Sequence, residues 1–306
     1  MKILLFITSL IILCSCESQP ELCFDHSSHD RKPVQVVFDW SDCPDADPAS
    51  MTLYIFPDNG DATRRYDFVG REGGEFRILP GHYTAIAINS DTEKTTIRNT
   101  QSPETFEVWL RGDFAAPQQV EEELLCNQSD MVWLGEIQSF DTSEGRVEII
   151  MHEAVCRCTV DILKIDNHNR VKSVSATLSG MNESIYVRNS TAEIKSAKIA
   201  LAMDSPGPGS LHGSMLTLGH CGQARARGTP TDCHRTHQLQ IFFSLDDGTG
   251  RLHTIDVSEQ MHSQDVDDCH IVIDSISVPV SGNATGGGGL SFEVDDWDVI
   301  DITIKP

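Results

Sequence analysis

Short stretches in which apolar and polar residues alternate recur along nearly the whole chain. In residues 34–40, Val34, Val36, Phe38 and Trp40 occupy every second position. This period of two places one face of a β-strand on a core. Clusters of Asp, Asn, Gly and Pro, such as residues 57–60, close the stretches as turns. Many short strands at even spacing predict an all-β fold of antiparallel sandwiches. Only residues 117–125 and 258–262 have a briefly helical pattern.

The length of the chain suggests two such units. The chain has 306 residues, and one domain is expected per about 150 residues. Two long strand-like stretches meet near His152. We therefore predict an N-terminal domain over residues 34–152 and a C-terminal domain over residues 153–306.

The N-terminus has the pattern of a secretory signal. Lys2 precedes an apolar run over residues 3–13, which is shorter than the roughly 20 residues that span a bilayer. Leu13, Ser15 and Cys16 then resemble a bacterial lipobox, which implies cleavage after residue 15 and acylation of Cys16. An ordinary signal peptide with an incidental cysteine is the alternative.

The polar, turn-rich residues 16–33 are then expected to form a flexible tether between lipid and body. Acyl chains contribute about 0.8 kcal/mol per buried CH₂, so several chains together hold a protein firmly on a membrane. We therefore expect the membrane to be one partner of this chain, reached through its N-terminal lipid.

The net charge of the chain and the absence of common catalytic motifs argue against several classes of function. The chain has 23 Lys and Arg against 46 Asp and Glu, a net charge of −23, which argues against nucleic acid as a partner. The sequence contains no G-x-S-x-G, H-E-x-x-H or phosphate-binding loop. We therefore expect neither an enzyme nor a cofactor.

Ten cysteines leave eight beyond Cys14 and Cys16, and in an extracytoplasmic protein these can form disulfides. Cys156 and Cys158 would share one face of a strand, and same-face neighbours do not bridge easily. They are therefore interpreted as small core residues.

The densest group of possible metal ligands is Cys221, Cys233, His234 and His237. Its spacing fits no common structural zinc pattern. A Cys221–Cys233 disulfide across a loop, two thiols and a metal site all remain open.

Several stretches together carry a family resemblance. They follow the lipobox at residues 36–40, 51–57, 78–83, 87–93, 176–181, 217–219 and 294–297. In their order and spacing they resemble the fimbrillin-like lipoproteins of Bacteroidetes. The resemblance implies two tandem transthyretin-like β-sandwich domains, a lipid-anchored outer-membrane location, and a role as anchor or accessory subunit of a filament. Whether the chain is surface-exposed or faces inward is left open by the sequence.

In that family, subunits pair by strand addition, so filament subunits are the expected protein partners. Residues 34–40 and 299–305 are the predicted docking edges, since chain ends often lie at sheet margins. The alternative is a surface lipoprotein that binds glycan or host protein through the same sandwiches. Exposed Trp109 or Trp133 would favour that alternative.

Overall fold

The computed structural model describes residues 30–112, 123–135, 137–188, 194–220, 234–264 and 268–280. Five sequence predictions lie outside these ranges: the signal peptide, Cys16, Cys221, Cys233 and the edge at residues 299–305. The tether is described only from residue 30 onward, and the predicted helical stretch 117–125 only from residue 123.

The all-β prediction is confirmed. The strands of the first half are β1 (Lys32–Asp39), β2 (Ser50–Pro57), β3 (Arg64–Val69), β4 (Gly73–Ile78), β5 (His82–Asn89), β6 (Thr95–Arg98), β7 (Glu107–Leu110), β8 (Leu124–Cys126), β9 (Trp133–Gly135), β10 (Gln138–Asp141) and β11 (Arg146–Glu153). Because β8 is a strand, the helical prediction for residues 124 and 125 was wrong.

The strands of the second half are β12 (Cys156–Ile162), β13 (Ile165–Asp166), β14 (Val171–Asn182), β15 (Ser184–Tyr186), β16 (Ser196–Leu201), β17 (Met203–Asp204), β18 (Leu211–Thr217), β19 (Gln238–Leu245), β20 (Gly250–Asp256), β21 (Asp268–Ile273) and β22 (Ile276–Ser277). Helix α1 covers Ser258–His262, as predicted, and 3-10 turns lie at Thr142–Glu144 and His168–Arg170. None of the described helices is long and apolar enough to cross a membrane.

The first sheet has the order β3-β2-β5-β9-β11-β1-β4, and β10 also pairs with β5. Strand β1 pairs in parallel with β11 and antiparallel with β4, so it is an interior strand. The prediction of a docking edge at residues 34–40 was therefore wrong. An alternating pattern shows which face of a strand is buried but not whether its two edges have neighbours.

The remaining strands form two larger sheets, β17-β18-β12-β21 and β20-β19-β14-β16-β8, a three-stranded sheet β15-β7-β6, and a short pair β13-β22. Strands β7 and β8 precede His152 in the chain, yet they pair with β15 and β16, which follow it. The described sheets therefore connect the two sides of the predicted seam, and the two-domain division stays a prediction.

The buried apolar residues form two clusters. One lies within the first sheet and includes Val34, Val36 and Phe38 of β1. The larger cluster contains residues from both halves of the chain, with Phe106 fully buried among them. The ring centroid of Phe106 lies 5.0 Å from that of Tyr54. Apolar residues from both sides of residue 152 therefore share the larger cluster.

A disulfide joins β12 to β21. Cys158 and Cys269 face each other in the parallel register of these strands, with their Cα atoms 4.6 Å apart. Cys158 is buried, as predicted, but its interpretation as an unbridged core residue was wrong. Its bonding partner lies on a neighbouring strand 111 residues away, and strand neighbours cannot be identified from local spacing.

Candidate interaction surface

The outer edge of β21 is paired with side chains rather than with another strand. Within the described chain, β21 ends its sheet, with β12 on its other side. The His270 N–H donates to Gln264 Oε1 at 2.6 Å, and Gln264 Nε2 donates to the His270 carbonyl at 2.8 Å. The Val272 N–H donates to Gln260 Oε1 at 2.9 Å, and Gln260 Nε2 donates to the Val272 carbonyl at 3.2 Å. Two glutamine amides thus satisfy four main-chain groups of this edge.

The spacing of the two glutamines matches the spacing of the strand. Gln260 lies in α1, which ends at His262, and Gln264 lies two residues beyond that end. Residues two apart in a strand are separated by about 6.6 Å and point their main-chain groups the same way. Gln260 in α1 and Gln264 just after it can therefore each meet one residue of β21. Each amide copies the two-bond pairing of an antiparallel strand neighbour.

Helix α1 is fixed at its start and on its inner face. The Ser258 N–H and Oγ–H both donate to Asp256 Oδ1, at 2.9 and 2.6 Å. These hydrogen bonds hold the pKa of the Asp256 carboxyl below its ordinary value. The His237 N–H donates to Ser258 Oγ at 2.9 Å, and Met261 is fully buried. The helix therefore has a defined position beside β21 although it is only five residues long.

Three histidines come together beneath α1. The ring centroid of His237 lies 5.2 Å from that of His220 and 5.1 Å from that of His262. Nδ1 of His237 lies 3.2 Å from the Ser179 carbonyl, and Gly180 leaves room for this ring, since a Cβ there would lie 2.5 Å from Nδ1. Burial, with the neighbouring cationic side chains, lowers the pKa of His220 to about 4, and burial likewise lowers that of His237 to about 4.

One of these histidines, His237, belongs to the predicted metal or disulfide site. His237 is fully buried, whereas His234 is exposed, so the two described candidates have different surroundings. No three His, Cys, Asp or Glu side chains among the described residues are arranged to hold a metal ion. Cys221 and Cys233 lie outside the described ranges, so their disulfide stays a prediction. His262 was missed because a single histidine in a short helix forms no motif.

The outer face of β12 carries a second polar group next to the β21 edge. Oδ1 of Asp161 lies 2.8 Å from His212 Nδ1, and its Oδ2 lies 2.6 Å from His270 Nε2. Hydrogen bonds from the two histidines hold the pKa of the Asp161 carboxyl below its ordinary value. The carboxylate therefore orients the His270 side chain, and with it the solvent-facing side of β21.

One exposed apolar side chain lies on this edge strand. Six large apolar residues are exposed in the described chain, and one of them, Val272, lies on β21. Leu163 is exposed on the other side of β21, where its N–H continues the β12 pairing by donating to the Ile273 carbonyl at 2.9 Å. Exposed apolar surface next to an edge strand is typical of an interaction site.

The two tryptophans proposed for glycan binding are half-buried. Trp109 donates its indole N–H to Glu183 Oε1 at 2.7 Å, and the Arg98 guanidinium lies 4.7 Å from its ring centroid. Trp133 packs edge-on against Trp40, with centroids 6.2 Å apart. Both side chains are thus partly buried and contact other residues of the chain, whereas the glycan hypothesis expects them to be exposed.

Comparison with solved structures shows which proteins share the fold. The fold is shared with the crystal structure of "a putative adhesin" from Bacteroides ovatus, at 19% identity and a TM-score of 0.60, covering 83% of this chain and 96% of that one. It is also shared with "putative polysaccharide binding proteins (DUF1812)" from Bacteroides thetaiotaomicron, at 12% identity and a TM-score of 0.51, covering 80% and 91%. These likenesses show the fold.

Sequence comparison gives the family. A family model described as "Domain of unknown function (DUF5119)" matches residues 15–202, and the chain belongs to this family. A curated relative, "Putative fimbrium anchoring subunit Fim4B" of Bacteroides ovatus, is 28% identical over 106 residues. That match covers 35% of this chain and 31% of the relative, so it spans about a third of each. The resemblance to fimbria-associated proteins that the sequence predicts is thereby confirmed.

Proposed function

We propose that this protein is an anchoring or accessory subunit of a fimbria-like filament, tethered through lipid on Cys16 to the outer membrane of a Bacteroidetes cell. The observation that carries the proposal is the match to the Fim4B protein. The fold shared with an adhesin structure agrees with it. In this role the protein binds a partner and catalyses no reaction.

The chemistry of the described chain supports an extracytoplasmic location. The buried Cys158–Cys269 disulfide is of the kind that persists in oxidising compartments and is rare in the cytosol. The net charge of −23 disfavours binding to an anionic lipid surface. A lipid at Cys16 would therefore hold the body near the membrane without the body itself adhering to it.

Main-chain strand addition is the proposed mode of contact. A sheet that ends in an edge strand offers unpaired N–H and C=O groups, on which an extended segment of a partner can form hydrogen bonds. Several described sheets end in edge strands, among them β20 and β21; at β21 glutamine side chains bond the outward groups of His270 and Val272. The main chain of the partner would supply affinity, and the side chains next to the edge would supply specificity.

Deletion of the gene alone tests the proposal. Loss of an anchor should release filaments into the culture medium or change their length, while the polymer subunit is still produced. Restoring the gene with Cys16→Ala should yield the protein but leave the filaments released, because only the lipid tether is missing. Filaments that stay attached and unaltered in the deletion strain would contradict the anchoring role.

The glycan-binding alternative has one observation in its favour, the fold shared with the structure named as polysaccharide binding proteins. The half-buried state of Trp109 and Trp133 speaks against it. Screening the mature chain on a polysaccharide array would decide: saturable binding to one glycan, together with normal filaments in the deletion strain, would favour this alternative.

A further inference from the structure

We propose that the outer edge of β21 is the acceptor for the partner's strand, and that Gln260 and Gln264 cover this edge until the partner displaces them. The inference rests on the proposed function and assigns that function to one edge. Its occupant is an extended segment of a partner subunit.

The two glutamine side chains that cover the edge can be displaced while β21 stays paired with β12. The four bonds at Val272 and His270 all go to glutamine amides. In a parallel pair, alternate residues of a strand bond to one neighbour, so residues 269, 271 and 273 are the ones that face β12. Removing the glutamines therefore leaves the pairing of β21 with β12, and the Cys158–Cys269 bond, in place.

Exchange of the cover for a partner's main chain conserves hydrogen bonds. A docked strand lies about 4.8 Å from its neighbour, in the volume that the two amides now fill. The four hydrogen bonds to the glutamine amides would be broken, and hydrogen bonds to the main chain of the partner would replace them. Gln260 and Gln264 are half-buried, so their amides can return to water. Each such bond contributes little net stability because water competes for both of its partners, which keeps the cover displaceable.

The side chains beside the edge describe the partner. Val272 is exposed, at 36%, and an apolar residue on the incoming strand would bury it. Asp268 and Asp274 lie exposed at the two ends of β21. The edge therefore fits an extended, β-branched segment with neutral or basic ends.

Charge disfavours a second copy of this chain as the occupant. Two bodies of net charge −23 repel each other, and each would bring acidic residues to the same edge. A segment from a different subunit avoids this repulsion. The cover would also keep the edge from pairing unproductively before a partner arrives.

Val272→Pro tests the inference in cells. The Val272 N–H points to Gln260 and not to β12, and proline is tolerated on an edge strand whose N–H faces outward. The variant removes the donor that a docking strand needs. We expect filaments to be released as in the gene deletion, while Val272→Thr, which keeps the N–H and the branched side chain, retains them. Equal amounts of each variant in the membrane fraction serve as the folding control.

The outcomes separate this inference from the proposed function. Filaments released by gene deletion but retained in Val272→Pro would overturn the assignment to β21 and leave the anchoring role standing. Filaments retained in both strains would overturn the anchoring role.

A second measurement does not depend on proline. The probe is a synthetic peptide, Lys-Thr-Val-Thr-Val-Thr-Lys, added to the mature chain. We expect the amides of His270 and Val272 to exchange hydrogen more slowly when it binds, and Gln260→Ala/Gln264→Ala to bind it at least fivefold more tightly because no cover competes. The same peptide N-methylated at alternate residues should not bind. Unchanged exchange at both amides, with equal affinity for the two proteins, would overturn the inference.

Discussion

Removing the Cys158–Cys269 disulfide should destabilise the protein substantially. The bond closes a loop of 111 residues, and closing a loop of roughly 100 residues reduces the entropy of the unfolded chain by an amount equivalent to about 4.7 kcal/mol at 25 °C. Measured effects are typically about 2–4 kcal/mol. We therefore expect Cys158→Ala/Cys269→Ala to lose about 3 kcal/mol of unfolding free energy.

Urea unfolding, followed by tryptophan fluorescence, measures this loss. If the free energy of unfolding decreases by about 2–3 kcal/mol per molar urea, the midpoint of unfolding should fall by about 1 M. A reducing agent should lower the midpoint of the wild-type chain toward that of the double variant. The reducing agent should have no such effect on the midpoint of the double variant, which lacks this disulfide. Equal midpoints for the oxidised wild type and the double variant would refute the reasoning.

Three further changes test the core and the buried polar groups. Folding lowers the pKa of His220 and His237 from 6.5 to about 4, so the unfolded chain binds more protons than the folded chain between these two pH values. As the pH is lowered from 6.5 to 4, the free energy of unfolding should therefore fall by about 3 kcal/mol for each histidine. Chemical-denaturation midpoints that stay constant across this pH range would contradict the prediction. Phe106→Ala should cost about 3–5 kcal/mol in the same denaturation assay because Phe106 is fully buried in the larger cluster, and a loss below about 1 kcal/mol would argue against that packing. Arg98→Met should cost about 3 kcal/mol because it leaves the buried Glu107 carboxylate without the guanidinium that bonds it at 2.6 and 2.8 Å, and the double variant with Glu107→Leu should recover part of that loss.

The sequence predicted the class of fold well because alternation is a local property. Val34, Val36 and Phe38 are all buried, as their period of two indicates. The short helix at Ser258–His262 was also predicted from local pattern. Local pattern cannot identify the neighbours of a strand, however. The strand that pairs in parallel with β1 is β11, more than 100 residues later, and this pairing makes the first strand interior.

The candidate surface was less predictable for the same reason. Gln260 lies in a five-residue helix and Gln264 lies just beyond its end, but nothing in the sequence shows that their side chains meet β21. His220, His237 and His262 come together from three separate segments. Eight cysteines allow 105 complete pairings, so the partner of Cys158 required the three-dimensional structure.

Photo-cross-linking in intact cells tests the central claim that this protein holds a filament subunit. A photoreactive amino acid would replace Val272 at the β21 edge or, as a control, the exposed Phe242 on β19, and the cross-linked products would be identified by mass spectrometry. We expect a covalent product between position 272 and a filament subunit, with none from position 242. Cross-linking of neither position to any filament subunit, in cells that carry filaments, would contradict it.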